Sequence, residues 1–232
     1  MKYLGLGTLL LTTIFCSGQS NPIVKKQGLT VDEFVPKHWK ILQKVTGDLN
    51  SDNYDDAALV IQEVNPKNVL INDGLGIDTL DTNPRMLLIL FKDTVLNQFK
   101  LQEISKTFIL NHYSPTMDDP FYGINISKGI LEIGFRFWYS AGSWYMTFLD
   151  YKLRFQKNDF FLIGAEFEET HRGTMERTKR SFNFLTKKMS ETKSEFEDKV
   201  DQNGEQIENT RTVWKKLDFR ELNHYRLEVD RL

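Results

Sequence analysis

Alternation between apolar and polar residues, with a period of two, dominates the sequence from residue 39 to residue 167. Such alternation is typical of strands that bury one face. Turn-forming residues separate the segments, and connections this short join antiparallel neighbours, because a parallel crossover needs about a dozen residues. The sequence therefore predicts a mainly β fold, an antiparallel meander that closes as a sandwich or as a curled sheet. The clearest segments are 57–61, 86–91, 130–138, 145–155 and 160–163.

One short helix is predicted near the N-terminus. Thr30 can cap the segment 31–35, which carries acidic residues in its first turn. Pro36 then ends the helix after barely one turn.

The segment 168–232 is rich in Glu, Lys, Arg and Thr, and forms a charged C-terminal extension of the β domain. Two hairpins are predicted in it, over 182–195 and 196–215, the second around Asn203-Gly204. Asn-Gly is the strongest short hairpin signal. A charged helical segment is the alternative interpretation.

Residues 1–20 have the three parts of a secretory signal peptide. Lys2 supplies a positive charge, an apolar run extends from residue 4 to residue 15, and small residues follow. The run is shorter than the roughly 20 apolar residues that a transmembrane helix needs. The sequence thus predicts export to the periplasm or the medium, with no transmembrane segment.

Two outcomes are open at the end of this leader. Cleavage after Gly18 or Ser20 would release the exported protein from the membrane. Alternatively, Cys16 could receive a lipid anchor, which would make the protein a membrane-anchored lipoprotein. Phe15 disfavours the second outcome, because the bacterial lipidation motif prefers a small residue at that position.

The mature chain, residues 21–232, is predicted to form a single β domain. Cys16 is the only cysteine, so an intramolecular disulfide is excluded and the core or a metal must hold the fold. The formal net charge is −2 for the whole chain and −3 once Lys2 is removed. A nucleic-acid-binding domain is usually more basic, so no nucleic-acid partner is expected.

One stretch carries recognisable chemistry, the loop 47–56. Oxygen-bearing side chains recur at Asp48, Asn50, Asp52 and Asp56, which are positions 1, 3, 5 and 9 of a calcium loop, and the carbonyl of Tyr54 takes position 7. Ca²⁺ prefers about six to eight oxygen ligands, which this spacing can direct to one centre. The alternative is an Asp/Asn-rich hairpin turn that binds no metal.

The loop differs from an EF-hand, since Leu59 stands at position 12 and Asn53 replaces the usual glycine at position 6. Between two strands, the pattern Asp-x-Asn-x-Asp-Asn-x-x-Asp resembles the calcium loop of FG-GAP and VCBS repeats, over about residues 38–62. The resemblance implies a structural calcium ion held by Asp48, Asn50, Asp52, Tyr54 and Asp56. Residues 120–164 also resemble an uncharacterised family of exported bacterial proteins, which implies no activity.

Two acidic groups could serve catalysis, and the first of them could instead supply a second cation site. Asp73, Asp78 and Asp81 lie in one predicted loop, and Glu166 and Glu168 share one face of a strand. A pair of carboxylates can act as acid and base in glycoside hydrolysis. Solvated surface acids are the alternative for both groups.

A possible binding surface lies near the turn 140–143, where Trp138, Tyr139, Trp144 and Tyr145 cluster. Alternation places Glu132, Arg136 and Trp138 on one face of their strand. Phe148, in the next strand, belongs to the same face of the sheet. An open face of this kind suits a sugar or a protein. The alternative is that the charged segment 168–232 covers it.

The first functional hypothesis is an exported, calcium-stabilised, non-enzymatic β module that binds an unknown protein or glycan or serves a structural role at the cell envelope. The second is a carboxylate-dependent hydrolase that acts on envelope or extracellular polymers. No motif of a known enzyme decides between them.

Overall fold

Residues 22–200 and 206–216, which the computed structural model describes, form fourteen β-strands. The strands are β1 (Gln27–Gly28), β2 (Trp39–Gly47), β3 (Asp56–Glu63), β4 (Val69–Ile71), β5 (Thr79–Asp81), β6 (Arg85–Asp93), β7 (Gln98–Ser105), β8 (Phe121–Ser127), β9 (Ile130–Phe137), β10 (Tyr145–Gln156), β11 (Asp159–His171), β12 (Arg177–Asn183), β13 (Lys188–Val200) and β14 (Gln206–Lys216). The predicted leader, with Cys16, and the turn Asn203-Gly204 lie outside the described residues. Within them, no helix has the length and apolar character needed to span a bilayer.

The predicted mainly β, antiparallel fold is confirmed, with 59% of the described residues in strands and 4% helical. The predicted N-terminal helix is not confirmed. Val31–Phe34 form a single turn of 3₁₀ helix, and a second one covers Pro66–Asn68. The Glu33 carboxylate accepts hydrogen bonds from the N–H groups of Thr30 and Leu29, which fixes the start of this turn. Pro36 and the extended backbone at Val35 end the turn.

The first sheet has five strands in the order β1-β7-β6-β3-β2, and its two central strands are buried on both faces. One face of β3 and β6 carries Ala58, Val60, Leu87 and Ile89, which enter a core shared with the second sheet. The opposite face packs under the N-terminal segment, chiefly against Phe34. The continuous apolar run of β3 follows from this double burial, as in strands covered on both sides.

The second sheet is a seven-stranded meander in chain order, from β8 to β14. Its inner face supplies most of the shared core, including Leu131, Ile133, Phe135, Tyr151 and Leu153. The two sheets therefore enclose one apolar layer, which is the arrangement of a sandwich. Between β3 and β6 the chain also forms a separate hairpin, β4–β5.

The charged segment after residue 168 extends this second sheet. β12 pairs with β11, and β13 pairs with β12 and β14, all antiparallel. The helical alternative is thus wrong for β12–β14. These strands lie beside the earlier ones in the same sheet, so the strands of this segment do not lie across its outer face.

A side chain joins the edges of the two sheets. Gln43 sits at a bulge in β2, where the register with β3 shifts between Ile41 and Gln43. Its amide nitrogen donates to the carbonyl of Ile124 in β8 at 3.0 Å, and its amide oxygen accepts from the N–H of Ile124 at 2.9 Å. The Gln43 amide thereby supplies both hydrogen bonds that a neighbouring strand would give.

Candidate functional site

The predicted calcium loop connects β2 to β3 and is packed between the two sheets. A Cβ on Gly47 would lie 2.6 Å from Cγ2 of Ile126, so only glycine permits this approach of β2 to β8. Leu49 is 2% exposed and belongs to the shared core. The loop is therefore anchored by an apolar side chain at its base, while residues 51–55 remain exposed at the surface.

Asp48 organises the first turn of the loop. Its Oδ1 accepts from the N–H of Ser51 at 2.7 Å and of Asp52 at 3.2 Å, and its Oδ2 accepts from the N–H of Asn53 at 2.9 Å. Ser51 and Asn53 adopt φ values of 66° and 68°, the left-handed conformation that Asn tolerates better than most residues. These contacts coil the backbone around the Asp48 carboxylate.

Asn50, Asp52 and Tyr54 continue the same coil. Oδ1 of Asn50 accepts from the N–H of Asp52, and Oδ1 of Asp52 accepts from the N–H of Tyr54, both at 2.9 Å. The Asn50 amide nitrogen also donates to Oδ2 of Asp52 at 3.0 Å. The three residues at positions 1, 3 and 5 thus lie within one network of short contacts, as their spacing predicts.

Asp56, the predicted ligand at position 9, is fully buried, with 0% exposure. Its Oδ2 accepts from the N–H of Leu49 at 3.0 Å, and its Oδ1 accepts from the N–H of Lys92 at 2.9 Å. Burial raises the pKa of Asp56 from 3.8 to about 6 despite these donors, and the charges of Asp52 and Asp48 add to the increase. Asp56 therefore links the loop to β6, and the negative charges of Asp48 and Asp52 act on its carboxylate.

We expect this buried acid to make stability pH-dependent when calcium is chelated. Because the pKa of Asp56 is higher in the folded state, its contribution to stability is fully present below about pH 4 and is lost as the pH rises through about 6. The loss amounts to about 3 kcal/mol. The measurement is urea unfolding in chelator from pH 4 to 7.5, for the wild-type protein and for Asp56→Asn, which cannot ionise. The wild-type protein should lose free energy of unfolding relative to Asp56→Asn as the pH rises across this interval. Parallel pH profiles of the two proteins would contradict the raised pKa of Asp56.

Residues 22–200 and 206–216 contain no group of three or more His, Cys, Asp or Glu side chains placed to hold a metal ion. Asp48, Asp52 and Asp56 are therefore not placed together as a three-carboxylate group, and a cation in the loop would need the oxygens of Asn50 and Tyr54 to complete its ligand set. The chemistry of that set fits calcium, which accepts carboxylate, amide and carbonyl oxygens. The carboxylate oxygens of Asp56 each have one N–H partner and retain a second lone pair.

The predicted catalytic carboxylates of β11 are engaged in ion pairs. Glu166 accepts from Lys152 at 3.1 Å and from the hydroxyl of Ser181 at 2.9 Å. Glu168 pairs with Lys179 at 3.1 Å and with Arg177 at 3.5 Å. These contacts are typical of a charged sheet surface.

The other predicted acidic group belongs to the β4–β5 hairpin. Asp81 accepts from the N–H and the side-chain amide of Asn83, at 3.0 and 2.7 Å. Asp73 and Asp78 lie in the connection between the two strands, whose apolar residues Ile71 and Leu75 are 82% and 76% exposed. Asp73 and Asp78 are exposed, and the three aspartates do not form a three-carboxylate group.

The predicted aromatic group forms a surface cluster around Arg172. The Arg172 guanidinium lies 5.1 Å from the ring centre of Trp138 and donates to the carbonyls of Tyr139 and Ser143. Trp144 is 67% exposed and stacks on His171, with ring centres 6.1 Å apart. Cation–π contact and carbonyl acceptors thus fix this turn.

Sequence reasoning missed a groove on the outer face of the second sheet. It borders Gly134 in β9, which stands opposite the lining residue Asp150 in the β9–β10 ladder. A glycine inside an otherwise regular strand is the signal that could have found it, because such a residue often marks close approach of another group.

Comparison with known proteins finds no matching family model, no similar curated protein and no similar solved structure.

Proposed function

We propose that this chain is an exported β module stabilised by a structural calcium ion, and that it works at the cell envelope by binding rather than by catalysis. The observation that carries the proposal is the loop between β2 and β3. Its oxygens at positions 1, 3 and 5 form one contact network, and Leu49 ties the same loop to the shared core. A cation bound there would stabilise both sheets at once.

Electrostatics supports the cation. Asp48 and Asp52 raise the pKa of buried Asp56 in addition to the larger effect of burial, so the loop holds unfavourable negative charge near neutral pH. A divalent ion would offset this repulsion. The export part of the proposal rests on the leader in residues 1–20.

We expect calcium to raise the melting temperature of the purified protein. At a concentration of about 100 times the dissociation constant, a ligand specific for the folded state contributes about 2.7 kcal/mol. For a chain of this size that corresponds to an increase of about 5–10 °C. The measurement compares thermal unfolding in calcium, in magnesium and in chelator.

Two neighbouring aspartates provide matched variants for this experiment. Asp52→Ala should abolish the difference between calcium and chelator, whereas Asp55→Ala should retain it, because exposed Asp55 is outside the proposed ligand set. Equal melting temperatures of the wild-type protein in calcium and in chelator would refute the calcium site. The site would also be refuted if Asp52→Ala and Asp55→Ala lost the calcium effect equally.

One observation favours the second candidate, the carboxylate-dependent hydrolase. Burial raises the pKa of Asp150, the charge of Glu132 adds to it, and the charge of Glu166 acts in the same direction against Lys152. Asp150 also stands directly opposite Glu166 in the β10–β11 ladder. Two neighbouring carboxyl groups, one of them with a raised pKa, are a pairing used in glycoside hydrolysis. Binding remains the preferred proposal, because Glu166 is engaged by Lys152 and Ser181.

A further inference from the structure

A groove of about 460 Å³ crosses the outer face of the second sheet. Gly134 lies next to two of its lining residues: a Cβ at this position would lie 2.8 Å from Oδ1 of Asp150 and 3.6 Å from Cδ1 of Tyr122. The missing side chain lets Asp150 and Tyr122 approach each other over bare backbone. The groove is lined by Tyr122, Phe148, Asp150, Glu166, Phe167, Glu168 and Lys179.

The aromatic part of the groove is exposed yet fixed in orientation. Tyr122 in the edge strand β8 is 64% exposed. Its ring meets Phe148 at 82°, with ring centres 5.8 Å apart. Edge-to-face packing of this kind holds a ring in place, so Tyr122 is pre-oriented to receive the apolar face of a ligand ring.

The polar part contains paired and unpaired groups. Glu166 and Glu168 are held by Lys152 and Lys179, each at 3.1 Å. Asp150, by contrast, makes no hydrogen bond or ion pair with any residue that the structure describes. Its carboxylate is therefore free to accept hydrogen bonds from a ligand beside Tyr122.

A sugar matches this combination of groups. Adjacent hydroxyls can donate to the two oxygens of one carboxylate, and such charge-assisted hydrogen bonds are stronger than neutral ones. Lysine ammonium groups can donate to other hydroxyls, and the C–H face of a pyranose can stack on the tyrosine ring. A peptide anchor would instead require a fully desolvated apolar pocket, whereas this groove is open and lined about equally by polar and apolar groups.

The negative charge of the groove indicates which class of sugar can bind there. Among the residues that line the groove, the acidic Asp150, Glu166 and Glu168 outnumber the single cation Lys179. An acidic polysaccharide would bring further negative charge next to unpaired Asp150. A neutral or amino-sugar chain would not be repelled.

We propose that this groove binds a neutral or amino-sugar oligosaccharide, with one sugar ring stacked on Tyr122 and its hydroxyls donating to Asp150. This inference rests on the proposed binding role and names the ligand class for it. Gly134 acts as a specificity residue, because any side chain there would displace the Asp150 carboxylate from the sugar.

The test is an array of neutral, amino-sugar and acidic oligosaccharides probed with the purified full chain, followed by calorimetric titration of the best ligands. We expect binding to neutral or amino-sugar chains only. Tyr122→Ala and Asp150→Ala should weaken binding at least tenfold, and Gly134→Ala should weaken it without removing a ligand-contacting group. Tyr113→Ala is the matched control, since Tyr113 is 58% exposed and lies outside the groove.

The inference is overturned if no neutral or amino-sugar oligosaccharide binds, if acidic ones bind best, or if a lysine-rich peptide binds in their place. Equal weakening by Tyr122→Ala and Tyr113→Ala would also overturn it. Unchanged melting curves of the variants, expected because Tyr122 and Asp150 are exposed, show that any loss of binding is local. Calcium-dependent melting without sugar binding would remove this inference alone and leave the proposed calcium-stabilised module intact.

Discussion

Leu49→Ala should lower the free energy of unfolding by about 3–5 kcal/mol. Leu49 is 2% exposed and lies in the core that both sheets share, although it belongs to the loop between β2 and β3. Truncation removes buried apolar contacts and leaves a cavity where the loop meets both sheets. A surface leucine provides the control: Leu96→Ala, at a residue 57% exposed, should change stability by less than about 0.5 kcal/mol.

Urea unfolding in chelator measures the effect on the core alone. Repeating it in calcium measures the coupling between core and loop, because a loop that has lost its anchor should bind the ion more weakly. The stabilisation that calcium provides should therefore be smaller in Leu49→Ala than in the wild-type protein. A loss below about 1 kcal/mol in chelator would mean that the loop relaxes without depending on this side chain.

The second large effect concerns the ion pair between Arg85 and Asp119. The side chain of Arg85 is 3% exposed and donates to the two carboxylate oxygens of Asp119 at 2.7 and 2.6 Å, and to the carbonyl of Leu110 at 2.9 Å. Burial alone would raise the pKa of Asp119, but the Arg85 guanidinium, with smaller contributions from the N–H of Phe121 and from His112, outweighs this effect and holds that pKa below its usual value. The pair fixes β6 to the connection between the two sheets.

We expect substitution of Asp119 to destabilise the protein more than substitution of Arg85. Asp119→Ala should cost about 3–5 kcal/mol, since it leaves a buried guanidinium without its counter-charge. Arg85→Met keeps the volume, and the Asp119 side chain that remains is 48% exposed and can be hydrated, so its cost should be smaller. Urea unfolding at pH 7 compares the two variants. A larger loss for Arg85→Met would contradict this account.

The strands could be predicted from the sequence because alternation is a local property. The segments containing Trp39–Gly47 and Asp56–Glu63 were predicted from their own residues, and their antiparallel pairing follows from the short loop between them. The order of the first sheet could not be predicted, since β6 pairs with β3 after an intervening hairpin. The burial of the second face of β3 could not be predicted either, because Phe34 packs against that face from a distant segment.

The same distinction applies to the candidate sites. The contacts among Asp48, Asn50 and Asp52 follow from their spacing. The second anchor of Asp56 is the N–H of Lys92, 36 residues away, which no local pattern indicates. The groove likewise depends on a cross-strand pairing of Gly134 with Asp150 that only the register of β9 and β10 defines.

The amide of Gln43 has a consequence for assembly. Exposed strand edges offer free N–H and C=O groups to the strands of other molecules. At Ile124 in β8, both groups are already satisfied by a side chain from the opposite sheet. A foreign strand approaching β8 would have to displace that amide before it could form a continuous ladder, so this border of the meander is protected against intermolecular sheet growth.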